Sequence, residues 1–263
     1  MKKLSALVFF FLSLSATAQN AASYYQGINS SGNELRSQLH NLIKDHQALG
    51  YDQARSFLFG DFYLEQENSG EYFLHDVYCQ KNYMSSEFPG KKNLGPGKIP
   101  DNSILNCEHT WPKSRFGGGK DPKRAAEYSS KLSDLHHLFP SDSVINAIRG
   151  NSQFSDVDVE DRQLPCDGQK FGHLITENGK QSSEEYYEPP TVHKGNVARA
   201  LFYFAVRYKM TISSSEEKSL RQWHKQDPVD AQEMERNQRI FELQQNRNPF
   251  IDHPEFADLI EDF

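Results

Sequence analysis

An acidic residue and a histidine stand side by side in the segment NCEHTWPKSRFGGG, which runs from Asn106 to Gly119. Histidine has an ordinary pKa of about 6.5 and can take a proton from water near neutral pH. If the backbone is extended there, the adjacent side chains of Glu108 and His109 point to opposite sides. This arrangement predicts two separate roles, in which one group holds a cation and the other faces a substrate.

Two further polar clusters accompany this pair, the segment DLHH at 134–137 and a group formed by Asn146, Arg149 and Asn151. Asn146 offers a neutral oxygen ligand about one helical turn before the guanidinium of Arg149. Hard oxygen donors with a water-filled remainder suit Mg²⁺. Phosphodiester hydrolysis needs a base for water, a cation for the charge that builds on the phosphate, and basic groups for the flanking phosphates.

Positive charge is concentrated next to the Glu-His pair. The chain has a formal net charge of −7, so a protein of this balance that binds a polyanion must gather its basic residues locally. The stretch 113–131 does so, although an ordinary solvated surface explains the same charges. The residues that we assign to nucleic-acid binding are Lys113, Arg115, Lys120, Arg124 and Arg149.

Several of these residues also have a structural interpretation. A lone Glu-His pair is commonly a surface pair or a hydrogen-bonded structural group. Asp134 and His136 can tie a helix to the sheet, and Arg149 can be a buried ion-pair partner. Trp111 and Pro112 are better explained by packing that stiffens the turn than by a platform on which nucleic-acid bases stack.

Two alternative functions follow from the same residues. A zinc phosphoesterase would use His109, His136 and His137 as ligands, although the H-E-x-x-H pattern of zincin proteases does not occur in the sequence. A non-catalytic nucleic-acid-binding protein would keep the basic surface without turnover.

The N-terminus has the pattern of a secretory signal peptide. Lys2 and Lys3 precede an apolar stretch that is too short to span a membrane, and Ala16-Thr17-Ala18 supplies the small residues of a cleavage site. We therefore predict a signal peptide over residues 1–18, export to the periplasm or the medium, and a single domain over residues 19–263.

Three cysteines, Cys79, Cys107 and Cys166, accompany this predicted export. An oxidising compartment favours one disulfide and one remaining thiol, and three pairings are possible. The spacing contains no C-x-x-C, so a structural zinc knot is disfavoured.

The hydrophobic pattern predicts an α+β fold that is mostly helical, with a small sheet near the middle. Strands are expected at 72–78 and, briefly, at 104–105, and short strands among loops at 150–190. Helices are expected over 33–68, from Pro122, over 141–148, and in KGNVARALFYFAVRYK, KSLRQWHKQ and DAQEMERNQRIFELQQN.

Five collinear segments between Tyr72 and Glu255 resemble the endonuclease I family of secreted and periplasmic bacterial nucleases. They are NCEHTWPKSRFG, SDLHHLFPSDSVINAIRGN, EPPTVHKGNVARALFYFAVRY, LRQWHKQDPVD and RNQRIFELQQNRNPFIDHPE. Residues 19–70 match only loosely. The resemblance implies a ββα-metal (His-Me finger) core in which a small sheet is surrounded by mostly helical elements.

The resemblance also implies a mechanism. His109 matches the general base that activates water, and Glu108 and Asn146 match the protein ligands of a single Mg²⁺, for which Mn²⁺ or Ca²⁺ can substitute. The implied reaction is cleavage of double- and single-stranded DNA, and often RNA, with little sequence preference and with 5′-phosphate ends. Apart from the resemblance, we expect a monomer that does not bind membranes, because nothing in the sequence suggests an obligate interface and no later segment is apolar enough to span a membrane.

Two departures from the family pattern stand out. Characterised members place a phosphate-binding arginine in the loop after the Glu-His motif. Here that loop is shorter, so Arg115, Lys120 or Arg124 would have to serve. Those members also carry a glutamate where Leu132 stands, so water or another acid would have to protonate the leaving oxygen.

Overall fold

The structure is a computed structural model that describes residues 23–117 and 122–263. The predicted signal peptide and Lys120 lie outside these ranges. The helices of the described residues are α1 (Gly32–Ile43), α2 (Tyr51–Phe57), α3 (Pro122–Ser133), α4 (Ser143–Arg149), α5 (Lys194–Tyr208), α6 (Ser214–Gln226), α7 (Ala231–Gln244), α8 (Pro249–Asp252) and α9 (Phe256–Leu259).

The strands form three small sheets, and together with the helices they confirm the α+β class. The strands are β1 (Leu64–Gln66), β2 (Tyr72–His75), β3 (Asn82–Met84), β4 (Leu105–His109), β5 (Leu138–Asp142), β6 (Gln153–Phe154), β7 (Val159–Glu160), β8 (Lys170–His173) and β9 (Tyr186–Glu188). Their order is β1-β2-β3 in the first sheet, β4-β5 in the second and β6-β9-β8-β7 in the third.

Helix α5 lies at the centre of the core. Apolar residues at i, i+4 intervals in its sequence predict a buried face, and this prediction is confirmed. Val197, Leu201 and Ala205 are all buried, and the remaining turns are buried on most sides as well. The ring of Trp111 stacks on Phe204 of this helix at a centroid distance of 5.1 Å. Trp111 therefore packs the turn after β4 against the core, as the structural interpretation of this residue predicts.

The expectation of one helix over 33–68 is wrong in its extent. Helix α1 ends at Ile43, and α2 begins only at Tyr51 and continues as one π-helical turn over Leu58–Phe62. Residues 64–66 then form β1, which pairs antiparallel with β2. The strand pairing supplies backbone partners that a helix would otherwise provide, so tertiary context overrides the local pattern.

The predicted strand at 72–78 ends at His75 because the next residue turns the chain. The carboxylate of Asp76 accepts hydrogen bonds from the backbone nitrogens of Tyr78 at 3.2 Å, Asp142 at 2.7 Å, and Cys79. A disulfide joins Cys79 to Cys166 and so fixes this turn to the segment between β7 and β8, while Cys107 on β4 is a buried free thiol.

The helix predicted over 141–148 begins later than expected. Residues 138–142 form β5, and Asp142 caps α4 by accepting hydrogen bonds from the backbone nitrogens of Val144 and Ile145. The apolar positions of this helix predict that Val144 and Ile145 both face inward. Ile145 is buried, but Val144 is 54% exposed, so the prediction is wrong for Val144. Because β5 pairs with β4 along its whole length, the strand is specified by its partner.

Among the described residues, no helix combines the length and the apolar character that crossing a membrane requires.

Candidate active site

A cleft of about 450 Å³ opens where the end of β4 meets helix α4. Residues of β4, of α4 and of the segments that follow each of them line it, together with Tyr51 and Asn102. The cleft brings together most of the residues that the sequence analysis assigns to chemistry. Its lining includes Tyr51, Asn106, Glu108, His109, Lys113, Asn146, Arg149 and Asn151.

Glu108 is a buried carboxylate whose position is fixed by two donors. Its Oε1 accepts hydrogen bonds from Nη1 of Arg149 at 2.9 Å and from the hydroxyl of Tyr78 at 2.9 Å. Burial raises the pKa of the Glu108 carboxyl, whereas the charge of Arg149 and the Tyr78 hydrogen bond act in the opposite direction. Because both bonds use Oε1, Oε2 is the oxygen that would hold a cation in the cleft.

His109 is 4% exposed, and one of its ring nitrogens is held by the backbone. Nε2 lies 3.1 Å from the carbonyl oxygen of Leu132. A carbonyl oxygen only accepts, so Nε2 carries the proton and Nδ1 carries the lone pair. Nδ1 is buried and has no hydrogen-bond partner among the described residues. This tautomer leaves Nδ1 able to accept a proton.

The pKa of His109 lies well below its ordinary value. Burial is the main cause, and the nearby imidazole of His137, at a ring distance of 5.4 Å, lowers it further. The ring is therefore neutral near pH 7, which is the state that a general base requires.

Asn106 links Asn146 to the face of β4 that carries Glu108. Residues 106 and 108 alternate with residue 107 along the strand, so their side chains lie on the same face. Nδ2 of Asn146 donates to Oδ1 of Asn106 at 2.7 Å. That bond uses the amide nitrogen of Asn146, so its amide oxygen is the atom that can act as a ligand. A carboxylate and an amide oxygen beside a water-accessible cleft are a donor set that fits Mg²⁺.

Arg149 is placed differently from the nucleic-acid contact that the sequence analysis assigns to it. Its side chain is 1% exposed and pairs with Glu108, and it also donates to the carbonyl oxygens of His109 at 3.2 Å and Thr110 at 2.7 Å. The structural interpretation as a buried ion-pair partner is therefore correct. In this structure Arg149 positions Glu108 and the end of β4.

The other assigned basic residues differ in their relation to the cleft. Lys113 is exposed and lies in the cleft wall. Arg115 donates to the carbonyl oxygen of Asn151 at 2.6 Å and lies 3.8 Å from a carboxylate oxygen of Glu216. Arg124 is exposed on α3, outside the cleft lining. Lys113 is thus the described basic residue best placed to meet a phosphate in the cleft.

The two histidines at 136–137 are buried in the core, where their rings contact backbone carbonyl oxygens. Nε2 of His136 contacts the carbonyl oxygen of Asn246 at 3.2 Å, and Nε2 of His137 contacts that of Lys131 at 2.8 Å. Asp134 accepts hydrogen bonds from the hydroxyl groups of Tyr203 and Tyr208 on α5. Among the described residues, these histidines do not form a group with ligand atoms at metal-binding distances.

Three residues of the site were missed by the sequence analysis. Asn106 could have been found, because a polar residue two positions before Glu108 on a strand shares its face. Tyr78 lay inside a predicted strand, which concealed its bond to Glu108. Tyr51 lies in the loosely matching N-terminal part, and its ring stands 5.6 Å from that of His109. No sequence signal connects Tyr51 with His109.

Comparisons with known proteins identify the relatives of this chain. A model of the endonuclease I family matches residues 31–255. The chain is 34% identical to an extracellular ribonuclease of Bacillus subtilis (strain 168) in an alignment of 273 positions, gaps included, which covers 95% of this chain and 83% of that protein. It is also 34% identical to a periplasmic deoxyribonuclease of Aeromonas hydrophila over 195 residues, which cover 66% of this chain and 77% of that protein.

The relatives that the chain matches are nucleases, a class of hydrolases. The family match is more specific and confirms the resemblance seen in the sequence. The chain belongs to the endonuclease I family of nucleases.

Proposed function

We propose that this protein is an exported nuclease that hydrolyses phosphodiester bonds in DNA and RNA with little sequence preference, leaving 5′-phosphate ends. In this proposal His109 is the general base, and Glu108 and Asn146 are the ligands of a single Mg²⁺. The strand pair β4–β5 and helix α4 form the ββα-metal core.

The observation that carries the proposal is the hydrogen bonding of the His109 ring, which indicates which of its two nitrogens carries the proton. The carbonyl oxygen of Leu132 holds the proton on Nε2, and Nδ1 is a buried atom without a partner among the described residues. A buried nitrogen without a partner costs stability, and a catalytic role is one explanation for its presence. Acceptance of a proton from a water molecule in the cleft is a role that fits both its position and its neutral state.

The remaining residues of the cleft hold and orient the reacting groups. Arg149 and Tyr78 hold the carboxylate of Glu108, and Asn106 holds the amide of Asn146. Lys113, exposed in the cleft wall, is placed to meet a phosphate next to the scissile bond. When bound, Mg²⁺ would stabilise the negative charge that develops on the phosphate during hydrolysis.

The choice of substrate and the export rest on the relatives and on the N-terminus. The relatives include an extracellular ribonuclease and periplasmic and extracellular deoxyribonucleases. The locations and substrates stated in the names of these relatives, together with the signal-peptide pattern of residues 1–18, support export and action on both DNA and RNA.

Incubation of the purified protein with supercoiled plasmid, in Mg²⁺ buffer with and without EDTA, tests the proposal. We expect nicked and then linear DNA only without the chelator, and degradation of a single-stranded RNA under the same conditions. A plasmid that is shifted in a gel but stays supercoiled would instead identify a non-catalytic binding protein. Cleavage that persists after Mg²⁺ is replaced by Zn²⁺ and is lost in Mg²⁺ alone would identify a zinc phosphoesterase.

A further inference from the structure

A histidine and two carboxylates converge at one end of the four-stranded sheet, away from the cleft. Asp161 follows β7, His173 ends β8, and Glu185 precedes β9. Each offers a ligand atom, and these atoms all lie within 4.8 Å of one another. None of the three residues lines the cleft described above.

The strand register brings these side chains together. Gly172 pairs with Tyr186 across the antiparallel pair β8–β9, so the next residues outward, His173 and Glu185, are opposite neighbours. On the other side of β8, His173 pairs with Val159 of β7, and Asp161 lies two residues after Val159, just beyond the end of β7. Cross-strand neighbours of this kind lie within side-chain reach of each other.

Gly172 allows the close approach of β7 and β8 at this point. A Cβ atom at position 172 would lie 2.0 Å from the carbonyl oxygen of Val159 and 3.0 Å from the backbone nitrogen of Asp161. Any larger residue would push β7 away from β8. The backbone is therefore built so that Asp161 comes close to His173.

The ring of His173 is oriented by a contact at each nitrogen. Nδ1 lies 3.1 Å from the carbonyl oxygen of Glu184, and Nε2 lies 3.1 Å from a carboxylate oxygen of Asp161. Metal-binding histidines commonly have this arrangement, in which a backbone carbonyl binds the other ring nitrogen.

We propose that Asp161, His173 and Glu185 form a second divalent-cation site, with Nε2 and two carboxylates as ligands and Zn²⁺ as the best-suited ion. One imidazole with two carboxylates is a donor set that Zn²⁺ accepts, with the remaining position open to water. Arg162 lies 3.9 Å from a carboxylate oxygen of Glu185, but both side chains are about half exposed, so this pair is weak.

The position of the site indicates a structural role. Strand β7 is an edge strand that pairs with β8 through only two residue pairs. An ion at this end would join β7, β8 and the start of β9. The disulfide at Cys166 constrains the segment between β7 and β8 from a second point.

Zinc content and thermal stability test this site separately from nuclease activity. The full-length mature protein, stripped with a chelator, is incubated with ZnCl₂ in saturating Mg²⁺, which occupies oxygen-rich sites, and then passed through a desalting column. We expect one zinc per chain by elemental analysis and a midpoint of thermal unfolding that rises with ZnCl₂ concentration. His173→Gln and Asp161→Asn should lose this zinc and this shift.

Two control variants make the result specific. His253→Ala removes a histidine that pairs with only one carboxylate, Glu255 at 3.0 Å, and should retain the zinc. Glu108→Gln in the cleft should also retain it. If His173→Gln does not fold, Glu185→Gln serves as the second variant. Equal zinc content in the wild type and the cluster variants, or no zinc in the wild type, would overturn the site whatever the plasmid assay shows.

Discussion

The backbone carbonyl of Leu132 accepts a hydrogen bond from Nε2 of His109 at 3.1 Å, and this bond decides which ring nitrogen carries the proton. Because a main-chain atom supplies the acceptor, the side chain at position 132 is not needed to orient the imidazole. The family resemblance places a glutamate there in other members, and its absence here leaves the orientation of His109 intact. The proposed base is thus prepared by the fold.

Asn146→Ala should raise the Mg²⁺ concentration that half-maximal nuclease activity requires, because it removes a proposed ligand oxygen. Asn106→Ala should shift the requirement in the same direction by a smaller factor, since Asn106 only orients the amide of Asn146. We expect roughly 10- to 100-fold for the orienting residue. Titration of the initial rate of plasmid cleavage against Mg²⁺ measures both. An unchanged Mg²⁺ requirement in Asn146→Ala would exclude it as a ligand.

Arg149→Met should destabilise the fold by about 3–5 kcal/mol, because it leaves the buried carboxylate of Glu108 without its charged partner. Urea unfolding followed by circular dichroism gives the free energy of unfolding. Lys225→Met is the matched control, since it breaks an exposed ion pair with Asp258 and should cost at most about 1 kcal/mol. Equal effects of the two variants would show that the buried pair has no special structural role.

The three cysteines should behave as one disulfide and one protected thiol. Burial raises the pKa of the Cys107 thiol to about 12, so it should not react with a thiol reagent in the native protein. In denaturant without reductant, one thiol per chain should react. The double variant Cys79→Ser with Cys166→Ser should lose about 2–5 kcal/mol of stability, because the bond closes a loop of 87 residues. Rapid labelling of the native protein would contradict this arrangement.

Acid should destabilise the protein between about pH 6.5 and pH 4. Burial lowers the pKa of His136 and His137 to about 4 and that of His193 to about 3, whereas unfolded histidines titrate at about 6.5. As the pH falls through this window the unfolded chain binds protons first, so stability that is fully present above about pH 6.5 is lost. The free energy of unfolding, measured at several pH values, should show this slope.

A variant at His193 tests the cause of that acid dependence. His193→Gln cannot become charged, so its stability should fall less steeply over the same window than that of the wild type. The side chain of His253 is 33% exposed, so His253→Ala serves as a comparison for the loss of a histidine outside this buried set. A slope unchanged by His193→Gln would mean that this buried ring is not a source of the effect.

The sequence identifies candidate site residues more readily than the contacts between them. Glu108, His109 and Asn146 stand out by residue type and family resemblance, because their proposed roles depend on specific functional groups. The bond from Arg149 to Glu108 is not predictable in the same way. Arg149 reaches Glu108 only because β5 pairs with β4 and α4 then folds back over the strand. Long-range pairing of this kind leaves no periodic trace in the local sequence.

The secondary-structure elements show the same difference between features with a local sequence signal and features that depend on long-range pairing. The last three long helices were placed correctly because each carries a buried face or a local cap such as Ser213, which accepts from the backbone nitrogen of Glu216. Strand β5 was missed because its five residues gain their backbone partners from β4. The Cys79–Cys166 pairing could not be selected from spacing alone, since it depends on how the turn at Asp76 lies against the third sheet.

His109 offers the most direct test of the central claim. His109→Ala should lower the rate of plasmid nicking by at least about 10²- to 10⁴-fold, the usual contribution of a general base, while its circular dichroism spectrum and Mg²⁺ affinity stay close to those of the wild type. Lys113→Ala, which keeps the base, should instead weaken DNA binding and its salt dependence. Nicking by folded His109→Ala at the wild-type rate would contradict the proposed mechanism.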